Sequence, residues 1–73
     1  MSPLKFSATH DIVVPGPESR LTIPVMLWQG DLWQRSEMQR GAPFSMWRLV
    51  DGKLEYRHGV MPAGATVRAR RPC

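Results

Sequence analysis

The stretch 46–57, MWRLVDGKLEYR, constrains the fold of this 73-residue chain more than any other part of it. Asp51-Gly52 at its centre is a favoured two-residue hairpin turn, because a type I′ turn needs positive φ at both central positions. The register that follows has four cross-strand pairs: Trp47–Tyr56, Arg48–Glu55, Leu49–Leu54 and Val50–Lys53. The aromatic and leucine pairs share one face, which a one-residue slip would turn to solvent. We therefore predict an antiparallel hairpin in this register, with the Arg48–Glu55 charge pair on its other face.

Three further segments alternate apolar and polar residues with the period of two that is typical of strands. These segments are 4–14, read as one strand or as two with a bend near Thr9-His10, then 20–28, then 65–70. Four residues form the predicted core face of the second strand: Leu21, Ile23, Val25 and Leu27. Pro24 lacks an N–H, so this strand should lie at an edge or pair on one side only at that point. Met26 and Trp28 then lie on its second face, where a helix or a partner must cover them.

Residues 30–41 are the predicted cover for that second face. Their helix signals are a capping residue, charge pairs at helical spacing and a glycine stop: Asp31 with Gln34, Asp31–Arg35, Glu37–Arg40 and Gly41. These signals predict a short helix over 31–40. The alternative is a hairpin that turns at Gln29-Gly30 and continues as a strand through Gln34.

The whole chain, 1–73, is predicted to be one mainly β domain, a small barrel or sandwich of about five strands. One short helix is expected between the second and third strands. A chain this short has a marginal core, so self-association and a compact monomer are both open. Cys73 is the one cysteine, which fits a reducing compartment. Because no apolar run approaches the roughly 18 residues of a membrane span, we expect a soluble cytoplasmic protein without a membrane partner.

The excess positive charge lies in the last part of the chain. Residues 1–56 contain six basic and six acidic residues, so the net charge of +4 comes from the remaining arginines. These are Arg57, Arg68, Arg70 and Arg71. Since arginine suits bidentate contacts with phosphate, the four form a predicted polyanion-binding end. Their alternative role is to solubilise the chain and to protect an edge strand from aggregation.

Motifs of nucleophilic, phosphate-loop or zinc-dependent catalysis are missing from the sequence, and its two histidines, His10 and His58, lie far apart. We therefore expect a protein that is not an enzyme and that uses no metal or cofactor. Aromatic and methionine side chains are numerous for so small a domain, and these residue types are common interface anchors. We predict that Trp28, Trp33 and Met26 bind a protein partner or a second copy of the chain.

Two classes of function follow from these observations. The preferred one is a non-enzymatic protein-binding or assembly module. Its small size is typical of phage or mobile-element accessory proteins, either virion components or inhibitors of a host nucleoprotein complex. The alternative is a small basic nucleic-acid-binding protein.

A resemblance bears on the alternative function. The chain is similar to the swapped-hairpin DNA-binding domains of bacterial antitoxins and transition-state regulators in two stretches, Ser19–Pro24 (SRLTIP) and 49–54 (LVDGKL). Those domains have a strand ending in Ile-Pro, a short helix and then a strand–turn–strand. The resemblance covers Ser19 to Arg57 and implies DNA binding.

Overall fold

The computed structural model describes residues 5–71, which fold into six strands and one helix. The elements are β1 (His10–Pro15), β2 (Arg20–Trp28), β3 (Asp31–Gln34), α1 (Arg35–Arg40), β4 (Trp47–Val50), β5 (Lys53–Tyr56) and β6 (Thr66–Ala69). The strands form one antiparallel sheet in the order β5-β4-β3-β2-β1-β6, which curls into a nearly closed barrel. The predicted class, a small mainly β barrel with one short helix, is confirmed.

The hairpin of β4 and β5 has the predicted register in every pair. Asp51 and Gly52 have φ values of 52° and 77°, as a type I′ turn requires. Trp47 is buried, and the three other apolar residues of its face pack against the same core: Leu49, Leu54 and Tyr56. On the other face, Arg48 and Glu55 lie directly opposite each other, as predicted. Arg48 Nε also lies 3.6 Å from Oδ1 of Asp31, its neighbour on β3.

The predicted helix over 31–40 is wrong in its first half. A second positive-φ turn at Gln29 (54°) and Gly30 (83°) leads into β3, as in the alternative hairpin, and the helix begins only at Arg35. The reason is burial, because Leu32 and Trp33 are adjacent and both buried. A strand points such neighbours to opposite faces of the sheet and can cover each on its own side. β3 is the additional strand, so α1 follows the third strand and not the second.

Pro24 lies just before the point where β2 passes from one strand partner, β1, to the other, β3. β2 is an internal strand that pairs with β1 along Arg20–Val25, whereas its pairing with β3 begins at Val25. Pro24 therefore has a partner on one side only, as the second of the two sequence alternatives stated. The strand continues to Trp28, so it does not end at Ile-Pro as in the antitoxin resemblance.

The sheet buries apolar side chains on both of its faces. The inner core consists of Ile12, Val25, Leu32 and Trp47. Met26 and Trp33 are buried but lie outside that cluster, on the opposite face, where α1 contacts β2 and β3. The predicted core face of β2 is buried only in its middle, because Leu21 (60% exposed) and Leu27 (40%) lie near the two ends of the strand. Of the first predicted strand, His10–Pro15 is a strand, residues 5–9 have no regular secondary structure, and Leu4 lies outside the described residues.

Candidate protein-binding site

The structure brings together the three residues predicted to bind a partner. Met26 lies directly opposite Trp33 in the β2–β3 pair, and the Trp28 ring packs on Trp33 at 5.6 Å with a 60° tilt. Burial differs sharply among them, since Met26 and Trp33 are 8% and 9% exposed whereas Trp28 is 38% exposed. Trp28 is therefore the side chain that a partner can reach, and the other two support it.

A small pocket opens beside Trp28. It has a volume of about 140 Å³ and is lined by Trp28, Trp33, Glu37, Met38, Gly41 and Ala42. Pockets for cofactors and drug-sized ligands are commonly about 300–1,000 Å³. The volume beside Trp28 is too small for such a molecule and suits a single apolar side chain.

Glu37 fixes the wall of this pocket, whereas the sequence pattern predicts for it only a charge pair with Arg40. It is 2% exposed, and its carboxylate accepts the N–H of Gln34 at 2.7 Å and the N–H of Met46 at 2.9 Å. The predicted Glu37–Arg40 pair is wrong, because Arg40 Nε donates to the Ser36 carbonyl. The signal that could have located this role is the Gln34–Glu37 spacing, which is that of a capping box.

The end of α1 is held as firmly as its start. Gly41 adopts the left-handed conformation (φ 67°), and its N–H donates to the Met38 carbonyl at 3.2 Å. The Ala42 N–H donates to the Glu37 carbonyl at 2.9 Å. These bonds satisfy carbonyls that a helix end leaves open. The side of the pocket opposite Trp28 is thus built from bonded backbone.

Ser45 is a second buried polar residue that the sequence analysis missed. Its Oγ is fully buried at the junction of β3 and β4, within hydrogen-bond distance of the Leu32 carbonyl, and accepts the Trp47 N–H at 3.1 Å. Since it replaces a backbone partner where the strands begin to pair, it anchors the return of the chain from α1 into β4.

The four arginines of the predicted polyanion-binding end do not form one surface. Arg70 makes a bidentate ion pair with Asp11, at 2.8 and 3.0 Å, and these hydrogen bonds are the main reason that the pKa of Asp11 is lowered. Arg57 lies 3.6 Å from Asp31 and its guanidinium sits over the Phe44 ring at 5.2 Å. Arg68 and Arg71 are exposed on and after β6, which is the opposite end of the strand order from Arg57.

A larger open cleft, of about 650 Å³, lies between the chain before β1 and the start of α1. Arg70 and Arg35 line it, and the Arg35 guanidinium sits over the Phe6 ring at 4.8 Å. Its other lining residues are Ser7, Ala8, Ile23, Pro24, Gln34, Ser36 and Gln39, so the described lining contains basic and no acidic side chains. One of the four predicted arginines, Arg70, therefore lines this cleft together with Arg35, while Asp11 balances the charge of Arg70.

Within residues 5–71, no three or more His, Cys, Asp and Glu side chains come together as a metal site would need. No helix in that same range has the length and apolar character to cross a membrane. Comparisons of the chain with protein-family models, with curated proteins and with solved structures found no match.

Proposed function

We propose that this protein is a non-enzymatic protein-binding or assembly module whose contact surface is centred on Trp28. The observation that carries the proposal is the combination of a 38% exposed tryptophan with a side-chain-sized pocket beside it. Interface hot spots are enriched in tryptophan, and they commonly pack an aromatic ring next to a pocket that a partner side chain fills.

The support beneath Trp28 favours a preformed contact surface. Its ring is held by Trp33, and the far wall of the pocket is held by Glu37 and the backbone of Gly41. A side chain that is already ordered loses little conformational entropy on binding. This arrangement suits an accessory protein that attaches to a larger complex, such as a virion component or an inhibitor of a host nucleoprotein complex.

The test compares Trp28→Ala with wild type and with Leu21→Ala as the matched control. Leu21 is the more exposed of the two, at 60%, and lies near the other end of β2. Proteins captured by the immobilised wild type would be identified and purified, and their affinities for the three chains measured by calorimetry. We expect Trp28→Ala to weaken binding by at least about tenfold, with an unchanged circular dichroism spectrum, and Leu21→Ala to bind as wild type.

Partners that bind Trp28→Ala as tightly as wild type contradict the proposal. The same holds if Leu21→Ala loses as much affinity, because the effect would then belong to exposed apolar residues in general.

Nucleic-acid binding through the arginines is the second hypothesis, and the basic cleft with Arg35 and Arg70 is what favours it. Two of the four predicted arginines are engaged with carboxylates, which leaves Arg68 and Arg71 as the exposed pair near β6. Duplex and single-stranded DNA are therefore included in the calorimetry at two salt concentrations. Affinity that falls steeply with salt and survives Trp28→Ala would favour this hypothesis over the protein-binding one.

A further inference from the structure

We propose that two copies of this chain pair through the outer edge of β5, antiparallel, about a two-fold axis at Leu54. β5 and β6 are the two edges at which the barrel stays open, since no β5–β6 pairing links them among residues 5–71, and the two barrels would then join edge to edge. This interface is independent of the proposed protein-binding surface, because Trp28 lies on β2, and β4 and β3 separate β2 from the edge strand β5.

β5 has backbone groups available for such pairing. Among residues 5–71, its one strand partner is β4. The Arg57 N–H donates to the Met46 carbonyl at 2.7 Å, and with the Asp51-Gly52 turn this fixes which residues bond to β4. Because the backbone groups of an antiparallel strand alternate in direction, Lys53 and Glu55 bond toward β4. Leu54 and Tyr56 consequently present their N–H and C=O groups outward.

The charges along this edge disfavour a two-fold axis at Lys53 or Glu55 and favour one at Leu54, the middle of the strand. Four exposed residues alternate in sign along the outer face of the hairpin: Asp51, Lys53, Glu55 and Arg57. A two-fold axis at Lys53 or at Glu55 would oppose like charges in every pair. An axis at Leu54 opposes Lys53 to Glu55 of the second copy, and symmetry makes this pair twice.

This pattern argues for a second copy as the occupant of the edge. The charges alternate in sign along the strand. When a second copy runs antiparallel about the axis at Leu54, each positive charge within the strand therefore meets a negative one. On the other face, half-buried Leu54 would meet Leu54 of the second copy, which adds apolar contact. The remaining free edge, β6, lacks this property, since Arg68 is the single charged residue within that strand.

The experiment measures the dimer dissociation constant by sedimentation from about 1 μM to about 1 mM. Wild type is expected to be a concentration-dependent dimer. Lys53→Glu and Glu55→Lys each convert both opposed pairs to like charges and should weaken the dimer by at least about tenfold. The double variant Lys53→Glu/Glu55→Lys should recover the wild-type constant. An equimolar mixture of the two single variants should form a heterodimer, because all these opposed positions again carry opposite charges.

Two controls make the result specific to β5. Lys5→Glu and Glu18→Lys make the same charge changes at exposed positions outside β5 and should leave the dimer unchanged, as should Trp28→Ala. A carbodiimide cross-link between Lys53 and Glu55 should join isotope-labelled to unlabelled chains in a mixed sample. A monomer at every concentration, a dimer that tolerates both single charge reversals, a failure of the double variant to recover, or assembly beyond a dimer would overturn the proposal.

Discussion

The two connections that flank β4 are held in different ways. The turn from β4 to β5 depends on the backbone conformations of Asp51 and Gly52, which are neighbours in sequence. The connection from β3 to β4 spans 35–46 and depends on Glu37, whose buried carboxylate joins the N–H of Gln34 to that of Met46. The first connection is local, and its conformation contributes little to the free energy of unfolding. The second joins the two ends of a whole segment, including one wall of the Trp28 pocket, through one buried carboxylate, and the helix end at Gly41 and the Ser45 hydroxyl add to it.

The largest effect is therefore expected at Glu37. Glu37→Ala leaves the N–H groups of Gln34 and Met46 without their acceptor, and each is part-buried, so each loss costs about 1 kcal/mol or more. We expect the free energy of unfolding to fall by about 2–3 kcal/mol, measured by urea denaturation. Glu37→Gln keeps one carbonyl acceptor and should lose less.

The matched control is Glu18→Ala, an exposed glutamate between β1 and β2, which should change stability by no more than about 0.5 kcal/mol. If Glu37→Ala costs no more than this control, the connection does not depend on the buried carboxylate, and the contrast with the hairpin turn disappears.

A smaller effect is expected at the hairpin turn. Gly52 has a φ of 77°, and a Cβ built there meets no atom within 4 Å, so any cost of a side chain is conformational. Gly52→Ala should lower the free energy of unfolding by about 1 kcal/mol. Gly52→Asn should cost less, because asparagine adopts the left-handed conformation more readily. Equal losses for both substitutions would show that the turn is held by something other than its backbone preference.

The same contrast explains which parts of the fold can be predicted from the sequence. The hairpin was predicted in every pair because turn chemistry, alternation and burial all act within twelve residues. The start of β3 was misread because Asp31 and Gln34 have local helix signals. Its strand state depends instead on covering Leu32 and Trp33 from two sides of the sheet.

The residues of the candidate site could be named from the sequence, but the contacts that hold them in place could not. Composition pointed to Trp28, Trp33 and Met26, and the structure brings them together. The Gln34–Glu37 spacing offered a local signal for one contact of Glu37. Its contact with Met46, nine positions away, and that of Arg70 with Asp11, fifty-nine positions away, have no such signal. A charge count finds the arginines but cannot find which of them a buried carboxylate already holds.

The smallest expected effect is a pH dependence of stability at the Asp11–Arg70 pair. This pair joins β1 to the residue that follows β6. Hydrogen bonds from Arg70 lower the pKa of Asp11 below its ordinary value of 3.8. In that range the unfolded chain binds more protons than the folded one, so the stabilisation is complete above about pH 5 and is lost as the pH falls through the lowered pKa. Wild type should thus exceed Asp11→Asn in stability near neutral pH, with a gap that closes toward about pH 2.

The measurement is a series of urea midpoints for wild type, Asp11→Asn, Arg70→Gln and the double variant across that pH range. Because Arg70 is the main cause of the lowered pKa, Asp11→Asn in the Arg70→Gln background should show much less of this pH dependence. A gap of the same size at pH 3 and pH 7 would mean that Asp11 stabilises the fold without its charge. Arg70 would then be free of its carboxylate in solution, and the basic cleft beside Arg35 would gain a second unengaged guanidinium.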